Sequence, residues 1–294
     1  MQNAIKLLNS KTKSLWFNLA VYVIAFAAAL IPFRHTENLF YAAALFNIVS
    51  TLVIFAIGTL IKDTSLYDPY WSVEPPAVLL AAMVKHHYFS ENAWILFGAI
   101  MIWSIRLTVN WAVAYKGVGH EDWRYADLRK KLPAPLFFFV NLFGLMGFPS
   151  LLIYFGFIGA LFVIQKEGFD PKILPGIAVI LAGTLLEHIA DSAVHQFLED
   201  TDKPGTTCRR SVWNYSRHPN YLGEMMVWTG IFLCFVMLYP DIWYCGLGVV
   251  GIWILFPFIS IPMMEKHNLA RRSDYRDYQK TTSMLFLMPP RKPE

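Results

Sequence analysis

Charged residues are scarce in this chain. Only 16% of its 294 residues are Asp, Glu, Lys or Arg, whereas soluble globular domains carry about 25%. Hydrophobic residues make up 56%, and several uncharged apolar runs reach the roughly 20 residues that a bilayer crossing needs. The composition excludes an ordinary soluble domain and predicts a polytopic membrane protein. We expect its partners to be the lipid bilayer and a lipophilic small molecule, and we expect no nucleic acid.

Cysteines and the common nucleotide-binding loops are also lacking. The three cysteines, Cys208, Cys234 and Cys245, form no Cys-x-x-Cys pair, so neither a disulfide framework nor a zinc site is expected. The sequence has no Gly-x-Gly-x-x-Gly after a strand, no Walker lysine loop and no Gly-x-Ser-x-Gly elbow, which excludes the sites that those motifs build. If a nucleotide binds, it is not held by a Rossmann domain.

The apolar runs predict an all-α transmembrane bundle of about seven or eight helices in a single integral membrane domain, residues 1–294. The third segment has the shortest uncharged core, Ala77 to Val84, and is predicted either to cross or to form a half-helix or re-entrant segment. Pro149 is expected to kink the fifth. The predicted segments are 15–32, 39–61, 75–90, 93–115, 134–164, 173–198, 221–239 and 242–264.

Charge predicts an orientation for these segments. If all eight cross, most of the 25 Lys and Arg residues fall on the face that holds both termini and the polar loops. The positive-inside rule then places the termini and these loops in the cytoplasm. If segment 75–90 does not cross, the N-terminus moves to the opposite face.

A polar cluster occurs where a loop meets the apolar run that starts at Leu222. Pro219 is typical of a first helical turn, and Arg217 carries a planar fork of donors suited to phosphate or carboxylate. The pattern indicates an anionic ligand at a helix N-terminus. The alternative is an interfacial helix start with a snorkelling arginine and an aromatic belt. The cluster consists of Arg217, His218, Asn220, Tyr221 and Glu224.

Two further groups of polar residues are candidates for the same site. Glu187 and Asp191 are spaced to share a helix face, and ionisable groups at membrane depth usually face a polar cavity; a helix end emerging into water is the alternative. Arg209, Arg272 and Tyr275 lie in polar segments that could close over a phosphate, or could instead form a basic patch on anionic lipid.

The run Trp213-x-Tyr215-Ser-Arg217-His218-Pro219-Asn220-Tyr221-Leu-Gly223-Glu224 resembles the steroid 5-alpha-reductase and sterol reductase superfamily. The likeness is closest to a bacterial branch of largely uncharacterised membrane proteins. Glu187-x-x-x-Asp191 and Asp274-Tyr275-x-x-Tyr278 fit the same pattern in order and spacing. The resemblance covers about residues 180–285.

This resemblance implies an NADPH-dependent reductase of a C=C bond in a steroid, sterol or isoprenoid-like substrate, located in a bacterial inner membrane. Residues of about 1–132 would form the substrate side and residues of about 133–294 the cofactor side. Carried over by position, the residues lining the cofactor would be Glu187, Asp191, Arg209, Arg217, His218, Asn220, Tyr221, Glu224, Arg272 and Tyr275.

The match departs from the family at the residues that act on the substrate. Glu74 lies in a stretch, Trp71 to Pro76, that is one residue shorter than in the family. Trp103 occupies the position of the family tyrosine, and an indole donates a hydrogen bond but cannot give up a proton as a phenol does. Tyr70 is a replacement candidate. The predicted catalytic residues are therefore Glu74, Tyr70 and Trp103.

Two alternative functions remain open. Isoprenylcysteine carboxyl methyltransferases share an Arg-His-Pro-x-Tyr-x-Gly core and bind S-adenosylmethionine at the equivalent place, and Glu265 with the Tyr275/Tyr278 pair would suit them. A non-catalytic lipid-binding membrane protein is the other alternative, which Trp103 favours.

Overall fold

The chain divides into two compact units, Met1–Phe169 and Asp170–Glu294, and the described residues of both are mainly helical. The structure is a computed structural model that describes residues 10–200 and 205–291. It confirms the predicted all-α bundle. The division between the units falls after Phe169, because the helix of residues 134–163 packs on helices of the first unit.

Four helices of the first unit begin with a side-chain cap. The side chains of Ser10, Asn38, Ser90 and Asp122 each accept an N–H of the first turn, which satisfies donors that a helix start leaves unpaired. The helices are α1 (Lys11–His35), α2 (Leu39–Ile61), α3 (Tyr70–His86), α4 (Glu91–Ala114), α5 (Trp123–Lys131) and α6 (Ala134–Val163).

The second unit is centred on two long antiparallel helices. They approach each other closely at glycines: an added Cβ on Gly183 would lie 2.5 Å from Gly223 O, and one on Gly230 would lie 2.6 Å from Gly176 O. Small residues at such positions allow backbones to pack directly in membranes. The helices of this unit are α7 (Pro171–Asp200), α8 (Pro219–Leu238), α9 (Gly248–Arg271) and α10 (Tyr275–Thr281).

Within the described residues, seven helices are long and apolar enough to cross a membrane. The protein is thus a multi-pass integral membrane protein. Helix α3 is not among the seven, and it begins at Tyr70 rather than near residue 75. Its prolines, Pro75 and Pro76, are typical of a helix start, but here they lie inside the helix because its first turn is buried.

Helices α6 and α9 change pitch beside proline. A π-helical segment, Val140–Gly147, directly precedes Phe148 and Pro149, and a second one, Phe256–Ser260, precedes Pro262. Proline cannot donate to the helical ladder, and π turns are one of the usual accompaniments of such breaks. The irregularity expected at Pro149 therefore lies in the turns just before it.

Candidate functional site

The backbone just ahead of α8 is fixed by the C-terminal tail of the second unit, residues 272–291. Ser216 and Ser283 form a parallel bridge, in which the Arg217 N–H donates to Ser283 O at 2.9 Å. The Ser216 hydroxyl donates to Leu285 O at 2.6 Å and accepts the His218 N–H at 3.1 Å. These bonds hold the predicted motif in one orientation at the start of α8.

The guanidinium of Arg217 is committed to the protein. Its Nε donates to Glu265 Oε1 at 2.7 Å, and one terminal nitrogen donates to Gln279 O at 2.9 Å and Thr282 O at 2.5 Å. The Arg217 and Glu265 side chains are 11% and 14% exposed. Arg217 therefore links α9 to the tail, and Glu265 balances its charge. Its main role is to position the site, because the guanidinium is already paired.

His218 is held between the same carboxylate and an aromatic ring. Its Nε2 lies 3.3 Å from Glu265 Oε1, and its ring stacks on Tyr221 with centroids 5.4 Å apart. Burial lowers the pKa of His218, against the opposing effect of Glu265. The imidazole is thus neutral at pH 7 and presents a flat polar ring beside α8.

A partly enclosed cavity of about 160 Å³ lies beside this motif. Six of the predicted cofactor-binding residues line it, so the structure brings the motif and the C-terminal tail together. Aromatic rings and apolar side chains of α7 complete the wall. The six are Arg217, His218, Asn220, Tyr221, Arg272 and Tyr275.

Two polar groups of the cavity wall are available to a ligand. Among the described residues, the Arg272 side chain has no hydrogen bond or ion pair. Tyr275 is 1% exposed, and its hydroxyl is buried with no hydrogen-bond partner within the part of the chain that the structure describes. Burial raises the pKa of Tyr275, and the neighbouring Asn268 acts in the opposite direction. An unpaired buried hydroxyl is costly, and a ligand could satisfy it.

The remaining wall is held by committed groups. Asp274 accepts from Thr207 N at 3.1 Å and from the Thr207 hydroxyl at 2.6 Å. The Tyr278 hydroxyl donates to Trp213 O, and the Trp213 indole donates to Ala190 O at 2.8 Å. These bonds tie the loop before α8, helix α7 and α10 into one frame, so the cavity has rigid sides.

The other predicted cofactor residues lie elsewhere in the second unit. Glu187 is 1% exposed and sits against Gly223 between α7 and α8. Glu224 accepts the Trp228 indole N–H at 3.0 Å, which makes it part of the packing of α8. Arg209 is exposed. The predicted residues that do not line the cavity are Glu187, Asp191, Arg209 and Glu224.

The predicted catalytic residues are buried in the first unit. Glu74 is 2% exposed and accepts from Asn47 Nδ2 at 3.3 Å. The Tyr70 hydroxyl lies 2.7 Å from Ser50 Oγ and donates to Asn47 O at 3.0 Å, and Trp103 is 0% exposed. Tyr70 and Glu74 thus share Asn47 as a partner. Asn47 and Ser50 were not predicted from the sequence, because they are isolated polar residues in an otherwise apolar span and belong to no recognisable motif.

A second polar cluster of the first unit involves Asp68. Its carboxylate accepts the Tyr125 hydroxyl at 2.7 Å and lies 3.9 Å from the Arg124 guanidinium. Burial raises the pKa of Asp68 to about 7, although Arg124 and Tyr125 act in the opposite direction. The folded protein therefore binds a proton at Asp68 more tightly than the unfolded chain does.

This shift predicts a loss of stability as pH rises. A raised pKa gives a stabilisation that is complete below the usual value of 3.8 and is lost as pH rises through about 7. We expect the free energy of unfolding of the wild type to fall roughly 2 to 3 kcal/mol more between pH 5 and pH 7.5 than that of Asp68→Asn. Denaturant unfolding at several pH values measures this. The exposed Asp127→Asn should keep the wild-type slope, and equal slopes in all three proteins would contradict the prediction.

Within the described residues, no three His, Cys, Asp or Glu side chains are grouped so as to hold a metal ion. Taken together, the fold and the site define a multi-pass helical membrane protein with a polar, aromatic-lined cavity at the start of one transmembrane helix. The chain belongs to the family described as protein of unknown function DUF1295, whose model matches residues 54–282.

One relative extends this likeness to nearly the full chain. An uncharacterized protein of Schizosaccharomyces pombe is 23% identical over 288 residues, which cover 86% of this chain and 81% of the relative. No solved structure matches the chain. The site at the start of α8 lies within residues 54–282, which match the family model, except for the end of the tail.

Proposed function

We propose that the protein is a membrane-embedded, NADPH-dependent reductase of a C=C bond in a lipophilic substrate of the steroid, sterol or isoprenoid kind. The observation that carries the proposal is the cavity at the start of α8, where the Arg272 guanidinium and the Tyr275 hydroxyl are free to bind a ligand. The resemblance of the motif from Trp213 to Glu224 to the steroid 5-alpha-reductase and sterol reductase superfamily supports it.

The size of the cavity fits one part of the dinucleotide. A closed cavity of about 150 Å³ is known to accept a benzene ring, and this one measures about 160 Å³. Whole small-molecule pockets usually reach about 300–1,000 Å³. The cavity thus suits a single ring, such as nicotinamide, and the rest of the cofactor must lie outside it.

The donor set is compatible with that part of the cofactor. Asn220 and Asn268 offer amide groups that match a carboxamide, His218 and Tyr221 offer flat aromatic faces, and Arg272 offers a positive charge for a phosphate. NADPH supplies a hydride when it is bound. The residues of the wall orient it and exclude water, and the frame that Arg217 holds together keeps them in place.

The substrate side of the proposal rests on the first unit. Tyr70, Glu74 and Trp103 are assigned the polarisation of the acceptor group, in keeping with the resemblance. Since the Tyr70 hydroxyl already donates to Asn47 O, it must exchange that bond to act on a substrate. The charge pattern supports cytoplasmic cofactor loops and a cytoplasmic C-terminus, in a bacterial inner membrane.

Ligand-induced stabilisation tests the proposal. A ligand present at about 100 times its dissociation constant adds about 2.7 kcal/mol, which raises the Tm of a chain of this size by roughly 5–10 °C. We expect this shift with NADPH in the purified protein, and we expect Tyr275→Phe and Arg272→Gln to lose most of it. Tyr244→Phe and Arg276→Gln are matched controls at exposed positions and should retain the shift.

One observation favours a second candidate, an S-adenosylmethionine-dependent methyltransferase. Glu265 balances the charge of Arg217, which leaves Arg272 as the unpaired charge of the cavity wall among the described residues, and the aromatic rings of the wall also suit a sulfonium. Stabilisation by S-adenosylmethionine alone would replace the reductase proposal with this one. A response to neither compound would favour the non-catalytic lipid-binding alternative.

A further inference from the structure

An apolar groove lies in the first unit, and Tyr70, Glu74 and Trp103 are not among its lining residues. Its volume is about 420 Å³, within the ordinary range of small-molecule pockets of about 300–1,000 Å³. Helix α1 contributes Phe26 and Phe33, and α3 contributes Ala77 and Ala81. The two alanines leave room where larger side chains would fill the space between the helices.

The groove is elongated. Its lining runs along α1 from Phe26 to Arg34 and along α3 from Ala77 to Lys85, a rise of about 12 Å on each helix. Lys85 Nζ donates to Phe33 O at 2.8 Å, so the C-terminal ends of the two helices meet. The groove therefore follows both helices in the same direction.

One end of the groove is positively charged. Arg34 and Lys85 both line it there, and no acidic side chain is among the lining residues. Lys85 also donates to carbonyls at the end of α1, Phe33 O and Thr36 O. Arg34 is exposed, and it forms no hydrogen bond or ion pair with any side chain in residues 10–200 and 205–291. At this end of the groove, Arg34 is therefore unpaired, and Lys85 uses part of its hydrogen-bonding capacity within the protein.

We propose that this groove binds one single-chain anionic amphiphile of the long-chain fatty-acid class. The chain lies along α1 and α3, and the carboxylate lies at Arg34 and Lys85. A length of about 12 Å is close to half of the roughly 30 Å hydrocarbon core of a bilayer, so the groove holds a chain within one leaflet. The site rests on the groove alone and does not depend on reductase activity.

Equilibrium binding of radiolabelled palmitate tests the apolar part of the groove. The protein is placed in nanodiscs of phosphatidylcholine, which supplies no net negative charge. Ala81→Phe fills the groove and is expected to weaken palmitate binding at least tenfold. Ala27→Phe adds the same ring to an exposed position of α1 outside the groove and is expected to change nothing. Wild-type affinity in Ala81→Phe, with an unchanged Tm, would overturn the proposal.

A second binding measurement tests the positively charged end of the groove. Arg34→Gln is expected to weaken palmitate binding about fivefold, the scale of an exposed ion pair, and to leave the binding of uncharged hexadecanol as in the wild type; Arg34→Lys should retain palmitate. Equal binding of palmitate and hexadecanol by the wild type would remove the anionic part of the proposal. Displacement of palmitate by phosphatidylglycerol would assign the groove to a bilayer phospholipid instead.

Discussion

Replacing Gly230 with alanine is expected to lower the free energy of unfolding by roughly 3 kcal/mol, at the upper end of the usual cost of overpacking. The new Cβ would lie 2.6 Å from Gly176 O and 2.8 Å from Ile180 N. Both are backbone atoms, so no side chain can move aside and helices α7 and α8 must separate. A thermal melt should show a Tm lower by roughly 6–12 °C.

The same change should also reach the cavity, because α8 carries His218 and Asn220 at its start. We therefore expect Gly230→Ala to weaken the NADPH-induced shift, in a variant that still folds at low temperature. Gly98→Ala in α4 is the matched control, since an added Cβ there meets no atom within 4 Å. It should be neutral or stabilising by up to about 1 kcal/mol. If Gly230→Ala matched that control, direct backbone packing of α7 on α8 would be wrong.

The helices were largely predictable from the sequence because they depend on composition over long windows. The seven candidate spans of the structure all correspond to predicted segments. Helix α3 was misplaced at its start because Pro75 and Pro76 usually mark a boundary, whereas here the first turn is retained by burial of Tyr70 and its neighbours. Such burial depends on tertiary packing and leaves no local sequence pattern.

The sequence predicted which residue types form the site, but it did not predict which side chains contact each other. The motif identified Arg217 and His218, yet their shared partner Glu265 lies 48 residues from Arg217, and it entered the sequence analysis only with the methyltransferase alternative. The close approach of Gly183 to Gly223 likewise joins two helices. Contacts of this kind depend on how the helices pack against each other, and the spacing of residues along the sequence does not predict that packing.

Replacing Arg217 with methionine is expected to lower the free energy of unfolding by roughly 3–5 kcal/mol, the cost of leaving a buried ion partner alone. The change leaves the Glu265 carboxylate, which is 14% exposed, without its guanidinium. It also removes the donor to Gln279 O and Thr282 O, so the tail loses its tie to α9. The Tm should fall by roughly 6–20 °C.

Two further variants show whether the ion pair is the cause. Arg210→Met removes the ion pair between Arg210 and Asp200, whose side chains are 48% and 60% exposed. Because this pair is exposed, its loss should lower the free energy of unfolding by no more than about 1 kcal/mol. The double variant Arg217→Met/Glu265→Met should be more stable than Arg217→Met, because no uncompensated charge remains. If Arg217→Met is as mild as Arg210→Met, the guanidinium is not a structural tie, and it is then available to bind an anionic ligand directly.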